Sequence, residues 1–318
     1  MTYILNKPLL LVFLFAVTIA CKTDNKNNKS VGIASNFVEN NLLKHTVLSN
    51  NHPMAVWEKK APSAKGIILF IHGRTWSGVP DFDLQVDGED LSLMDGMVEQ
   101  GYSTYALDLR GYGATPRDAS EWATPNVAAK DILTVLNWIS LENNGAKVHL
   151  FGWSMGSTLS LLATQKNKKD IASLTLFGYW QDLDSIIPES PNNIKPRKST
   201  NTAENAASDF IVPGSISQKA INTYVKMALT HDPIRVDWKN ENEYNEIDPA
   251  QITTPVLILQ GEYDPIGPTE KQAKLFTRLK TADKNWVVIS GGDHAAFMEK
   301  PREQFIYSFT SFINRFNK

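Results

Sequence analysis

Ser154 lies in Gly152-Trp153-Ser154-Met155-Gly156, a G-x-S-x-G run between an apolar stretch that reads as a strand and one that reads as a helix from about Met155. A sharp strand-to-helix turn in that setting forces the serine into strained backbone angles and lifts its hydroxyl clear of the sheet, while Gly152 and Gly156 leave room for neighbouring backbone. The helix that follows aims free N–H groups and its positive dipole end at the place where an attacked carbonyl oxygen would become negative. A serine hydroxyl is a poor nucleophile at neutral pH, so it needs a base, and the base needs an orienting carboxylate. His294, in Gly291-Gly292-Asp293-His294-Ala295, is the candidate base; Asp264, in Gly261-Glu262-Tyr263-Asp264-Pro265, is the candidate orienter. The chemistry these residues suit is two-step acyl transfer through an acyl-serine.

Plainer readings compete. Ser154 could be a helix N-cap, and Asp264 a turn residue before Pro265, which would leave Asp182 or Asp184 as the orienting acid. His149 falls within a predicted strand and reads as a core histidine. His45 and His52 read as lying before the sheet proper, and His231 as part of an insertion.

The elements that must bring these side chains together are predicted as strands near 53–59, 66–72, 102–108, 146–153, 171–178, 255–260 and 285–290, alternating with helical patterns. Gly66–Gly73, Ala146–Gly152 and Pro255–Gly261 carry near-continuous apolar runs that stop at glycine, as buried central strands of a parallel sheet do. The expected class is therefore α/β, a mainly parallel sheet covered on both faces. More residues separate Phe177 from Pro255 than one crossover helix needs; the excess, about 181–250, is rich in proline and asparagine, has a helical stretch at 217–229, and reads as a lid. Phe305, Ile306, Phe309, Phe312, Ile313 and Phe316 fall at helical spacing in a final helix from Arg302.

Over residues 45–318 the chain resembles the α/β-hydrolase superfamily. The resemblance is carried by His72-Gly73, Asp108-Leu109-Arg110-Gly111-Tyr112-Gly113, the Ser154 turn, and the Asp264 and His294 segments in the order Ser, Asp, His. It implies an α/β-hydrolase sheet flanked by helices, with the lid inserted after the sixth strand. It also implies an oxyanion hole made by the main-chain N–H groups of Arg74 and Met155, with His72 bracing that loop and Asp108 and Arg110 as scaffold. The Arg74 side chain is read either as a holder of an anionic substrate group or as structurally paired. The activity implied is that of a serine hydrolase cleaving a carboxylic ester, esterase-like or lysophospholipase-like. A peptidase or amidase of the same fold is the alternative, as is a non-catalytic binding protein. A serine at the turn departs from the carboxylate that haloalkane dehalogenases and epoxide hydrolases need there. The single glycine after His72 departs from the glycine run of many lipases. Trp76, Trp153 and Trp180 are the candidate pocket walls, with Trp122 and Tyr179 near the same mouth.

Lys and Arg total 32 against 34 Asp and Glu, so no broad field of either sign favours nucleic acid. The expected partner is a small-molecule ester. No phosphate loop or ligand-spaced His/Asp/Glu set points to a cofactor or a metal. Cys21 is the one cysteine, which excludes an intrachain disulfide. It ends an apolar run, Pro8–Val17, that follows Lys7 and reads as a signal peptide over 1–21. Thr18-Ile19-Ala20-Cys21 resembles a bacterial lipoprotein signal in which the cysteine is lipidated, although Thr18 stands where leucine is usual. The expectation is an exported cell-envelope lipoprotein tethered through a polar segment, 22–40, to a hydrolase domain at 41–318, with plain secretion as the alternative. Any contact with the membrane would then run through that anchor alone.

Overall fold

The computed structural model describes residues 41–317. The segments read from sequence as a signal peptide and a polar tether, with Cys21 between them, lie outside the described residues.

Among those residues eight strands make one sheet: β1 (Leu43–Ser49), β2 (His52–Lys59), β3 (Gly66–Ile71), β4 (Tyr102–Leu107), β5 (Val148–Trp153), β6 (Ile171–Phe177), β7 (Val256–Gly261) and β8 (Lys284–Ile289). Their spatial order is β1-β2-β4-β3-β5-β6-β7-β8. β1 pairs antiparallel with β2, and β2 antiparallel with β4; the other pairs are parallel. This is the mainly parallel sheet expected from the buried apolar runs, with one strand more, β1, which forms a hairpin with β2. β1 carries exposed Leu43 and Leu48 and buries only its far end, so its sequence lacks the continuous apolar signature of an inner strand. His45 and His52 therefore belong to the sheet rather than preceding it, which corrects the sequence reading. His45 Nε2 lies 2.7 Å from Oε2 of the buried Glu58 on β2.

Alternate side chains along each inner strand enter two separate cores. On β3, Ile67, Leu69 and Ile71 join the cluster that includes Leu136 of α3 (Pro125–Glu142), Leu159 of α4 (Met155–Lys166) and Leu275 of α7 (Thr269–Arg278). Ile68 and Phe70 join the opposite cluster, with Phe82 of α1 (Gly78–Phe82), Met94 of α2 (Leu93–Glu99) and Phe305 of α8 (Arg302–Ile313). A strand buried on both faces has no polar side to alternate with, which is why these segments read as unbroken hydrophobic runs. The predicted final helix is α8, extended by a short 3-10 turn, Asn314–Phe316.

Between β6 and β7 the chain makes α5 (Ala203–Ala207), α6 (Gln218–His231) and 3-10 turns at Glu241–Glu246 and Pro249–Gln251. Ser217 caps α6 by accepting from Ala220 N at 3.0 Å, and Ala220, Tyr224 and Ala228 bury one stripe of that helix. No helix among the described residues is long and apolar enough to cross a membrane.

Candidate active site

Parallel register brings the carboxyl ends of the inner strands side by side: Gly152 pairs with Ile71 on one flank and Leu176 on the other, and Gly261 with Ile289. Segments that leave those ends thus share one rim of the sheet, where open α/β sheets place their sites.

Ser154 has φ 55° and ψ −121°, a left-handed conformation that costs a non-glycine residue on the order of 1–3 kcal/mol. Ser154 N donates to Phe177 O at 2.8 Å, which ties the turn to β6. The two glycines are required sterically. A Cβ at Gly152 would lie 2.2 Å from Gly156 O, and one at Gly156 2.2 Å from Ile71 O. The turn is therefore wedged between α4 and β3 with no space for a side chain on either side of the serine.

Behind the serine, His294 Nδ1 donates to Asp264 Oδ2 at 2.9 Å, and both side chains are buried. Asp264 Oδ1 accepts from Ile266 N at 2.8 Å and Gly267 N at 3.1 Å. Burial alone would raise this carboxyl; the imidazole and the two N–H donors outweigh it and hold Asp264 below the usual carboxylate range, so it is ionised. The segment carrying His294 is fixed at several points. Trp153 Nε1 donates to His294 O at 2.7 Å, Tyr263 N to Gly292 O at 2.9 Å, and Asp293 Oδ1 accepts from Ala295 N at 2.9 Å. Asp293 Oδ2 accepts from Ile211 N and Val212 N at 2.7 Å each, which fastens the β6–β7 insertion to the same segment. Ser154 and His294 line one cavity of about 390 Å³, and the serine hydroxyl has no hydrogen-bond partner among the described residues.

The segment after β3 is locked into shape. Leu109 N donates to His72 Nε2 at 3.1 Å, so the imidazole proton sits on Nδ1 and is donated to Gly73 O at 2.8 Å. Burial pushes His72 down to about 4, which keeps it neutral and preserves that arrangement. Tyr112 Oη donates to Arg74 O. Arg74 itself is held by a two-pronged ion pair to Glu241, both contacts at 2.8 Å, so its guanidinium is structurally engaged. The main-chain N–H groups of Arg74 and Met155 have no partner among the described residues, and both residues line the cavity beside Ser154. Such a pair can receive a developing oxyanion.

Of the predicted pocket walls, Trp76, Trp153 and Trp180 line the cavity. Trp122 lines a neighbouring one, and Tyr179 is buried in the core. Asp182 and Asp184 are surface residues in ion pairs with Lys274 and Arg278, away from the imidazole. His149 donates or accepts in contacts of 2.7 Å with Ser173 and 2.9 Å with Asn317, a satisfied core histidine. Asp108 accepts from Trp57 Nε1, Gly78 N and Ala114 N at 2.8, 2.9 and 2.9 Å. Arg110 grips Asp131 and Asp118.

Sequence reasoning passed over four contributors. Gly178 ends β6 with φ +62°, and a Cβ there would sit 2.7 Å from His294 Cε1. Asp81 and Asp209 both line the cavity. Tyr224 Oη donates to Asp81 Oδ1 at 2.9 Å, and Trp76 Nε1 to Asp209 Oδ2 at 3.0 Å. Burial, moderated by the nearby imidazole, pushes Asp209 up to about 6; burial and the neighbouring Asp209 charge push Asp81 well above the carboxylate range. The fourth is Arg235, on the wall between the two cavities. None sits in a recognisable motif; only an isolated glycine after an apolar strand hinted at Gly178.

The sheet, its flanking helices and this rim define an α/β-hydrolase. More narrowly, the chain belongs to the Hydrolase_4 family, described as serine aminopeptidase, S33, which matches residues 62–301. It is similar to the lysophosphatidylserine lipase ABHD12 of Macaca fascicularis, 27% identical over 222 residues, covering 70% of this chain and 47% of that protein. The chain thus spans about half the length of the curated relatives it matches. Among solved structures, the thioesterase domain of the curacin biosynthetic pathway superposes with TM-score 0.62 at 15% identity, covering 85% of this chain and 100% of that one. An esterase from Thermogutta terrifontis gives TM-score 0.59 at 18% identity, covering 87% and 99%.

Proposed function

We propose that this serine hydrolase cleaves a carboxylic ester through an acyl-serine intermediate. His294 takes the proton of the Ser154 hydroxyl as the oxygen attacks the ester carbonyl, Asp264 stabilises the imidazolium, and the Arg74 and Met155 N–H groups receive the oxyanion. His294 then protonates the departing alcohol and activates water to release the acid. The observation that carries this reading is the strained Ser154 sharing a cavity with an imidazole already bonded to an ionised, buried carboxylate. Trp76, Trp153, Trp180 and Ile266 give the cavity an apolar surface suited to an acyl chain, and the lysophosphatidylserine lipase relatives favour an ester over an amide.

A second reading, an aminopeptidase, draws on the family description and on Asp209, whose cavity-facing carboxylate could hold a substrate amine. A substrate panel separates the two: p-nitrophenyl esters of two to twelve carbons against aminoacyl p-nitroanilides. Ester turnover with kcat/KM at least a hundredfold above the best anilide is expected; the reverse order would replace the ester reading by the peptidase one. The segment 181–250 is proposed as the lid of this cavity, and residues 1–21 as an export signal that leaves a lipidated Cys21 on the cell envelope.

A further inference from the structure

Beside the catalytic cavity lies a second one of about 430 Å³, and the two share Arg74 and Arg235 as wall residues. Its charged lining is unbalanced. The Arg74 charge is cancelled by Glu241. The one lining carboxylate, Asp237, is occupied by Arg197 N at 3.1 Å, Lys198 N at 3.0 Å and the Arg117 guanidinium at 4.0 Å. The partners of Arg235 among the described residues are met by its main chain: its N–H donates to Ser199 O at 2.8 Å, and its carbonyl accepts from Arg117 Nη2 at 2.8 Å. Its guanidinium has no partner there, and the same holds for the side-chain cations of Lys195 and Arg197, which line the same cavity. Three uncompensated cations around a concave wall raise the local concentration of anions, and a guanidinium presents paired donors to a phosphate or a carboxylate.

We propose that this second cavity is a substrate subsite for an oxyanion group, a phosphate or carboxylate carried by the part of the ester that extends past Arg235, with Arg235 as the anchor and Lys195 and Arg197 completing the site. The inner wall of the catalytic cavity carries Asp209, whose carboxylate is still largely ionised at neutral pH and disfavours an anion there, so a negatively charged end is directed outward and the apolar end inward. The link to turnover rests on the ester-hydrolase reading; anion binding does not.

The test has two arms on the full chain. In the first, calorimetric titration with sn-glycerol 3-phosphate and with succinate distinguishes phosphate from carboxylate, with glycerol as the neutral control. Binding of at least one anion is expected, weakened about tenfold or more by Arg235→Gln and by Lys195→Gln/Arg197→Gln, partly retained in Arg235→Lys, and falling with added salt. In the second, the ratio of kcat/KM for 1-butyryl-glycerol 3-phosphate to that for neutral monobutyrin is expected to fall about tenfold in Arg235→Gln. Neither anion binding, or an unchanged ratio in a protein that hydrolyses both esters, would overturn the subsite and leave the esterase reading intact. Arg235-dependent anion binding in a protein that hydrolyses neither ester would uphold the subsite and defeat the esterase reading.

Discussion

Gly178→Ala puts a single methyl group against the proposed acid–base pair. The added Cβ would lie 2.7 Å from His294 Cε1, 2.9 Å from Nδ1 and 3.3 Å from Asp264 Oδ2. Restoring an ordinary carbon contact of about 3.5 Å requires the ring to retreat by roughly 0.8 Å. Trp153 and Asp293 hold the segment that carries the ring, so the retreat is taken up by rotating the imidazole out of its present position against Asp264. A misplacement of about 1 Å can reduce turnover on the order of a hundredfold. The left-handed backbone at φ +62° adds a stability cost of about 1–2 kcal/mol, a drop in Tm of a few degrees. Gly145→Ala is the matched control, since Gly145 has φ +79° and no atom within 4 Å of the Cβ position. The assay is kcat/KM on the best p-nitrophenyl ester, with melting curves for both variants. Expected are a loss of about a hundredfold for Gly178→Ala and less than twofold for Gly145→Ala at similar Tm. Native kcat/KM in Gly178→Ala, or an equal loss in both, would refute the reasoning.

Asp264→Asn should lower kcat by about 10³–10⁴ while the protein still folds, because the imidazole loses its orienting acceptor. Since the native carboxyl is held below its usual range, its contribution to stability is present at neutral pH and lost as pH falls below about 4, so the difference in Tm between native and Asp264→Asn should shrink in acid. Glu299 shows the opposite sign: burial raises it to about 8 beside Asp293, so the stability tied to its proton is present in acid and lost as pH rises towards 8. Melting curves of Glu299→Gln should therefore gain on native protein by a few degrees between pH 5 and pH 9; a constant difference would contradict this. Gly156→Ala, with 2.2 Å to Ile71 O, should yield little soluble protein by expression assay, since backbone rather than a movable side chain blocks the methyl group. Cys21→Ser should shift the protein from the membrane to the soluble fraction of its host cells, and unchanged fractionation would rule out a lipid anchor at that residue.

The sequence made the reactive turn legible because its requirements are local: Gly152 and Gly156 are demanded by contacts within one strand-turn-helix unit and the strand beside it. Asp264 and His294 could be proposed from their places after apolar runs, since a parallel sheet gathers the ends of its strands on one rim. β1 was missed because an edge strand with one open face carries a weak hydrophobic pattern, and that miss displaced His45 from the sheet, whereas His52 fell one residue before the predicted start of β2. Asp209 and Arg235 were invisible for a different reason. Each owes its place to how the β6–β7 insertion folds back over the rim, and a polar segment with single charged residues has no period that reveals which of them turn inward.

The most direct measurement is covalent capture of the nucleophile. Folded protein treated with a fluorophosphonate and mapped by mass spectrometry should carry one phosphonyl adduct, on Ser154, absent in Ser154→Ala and formed at least a hundredfold more slowly in His294→Ala. An adduct on another residue, or none on folded native protein, would contradict the assignment of this rim as the seat of catalysis.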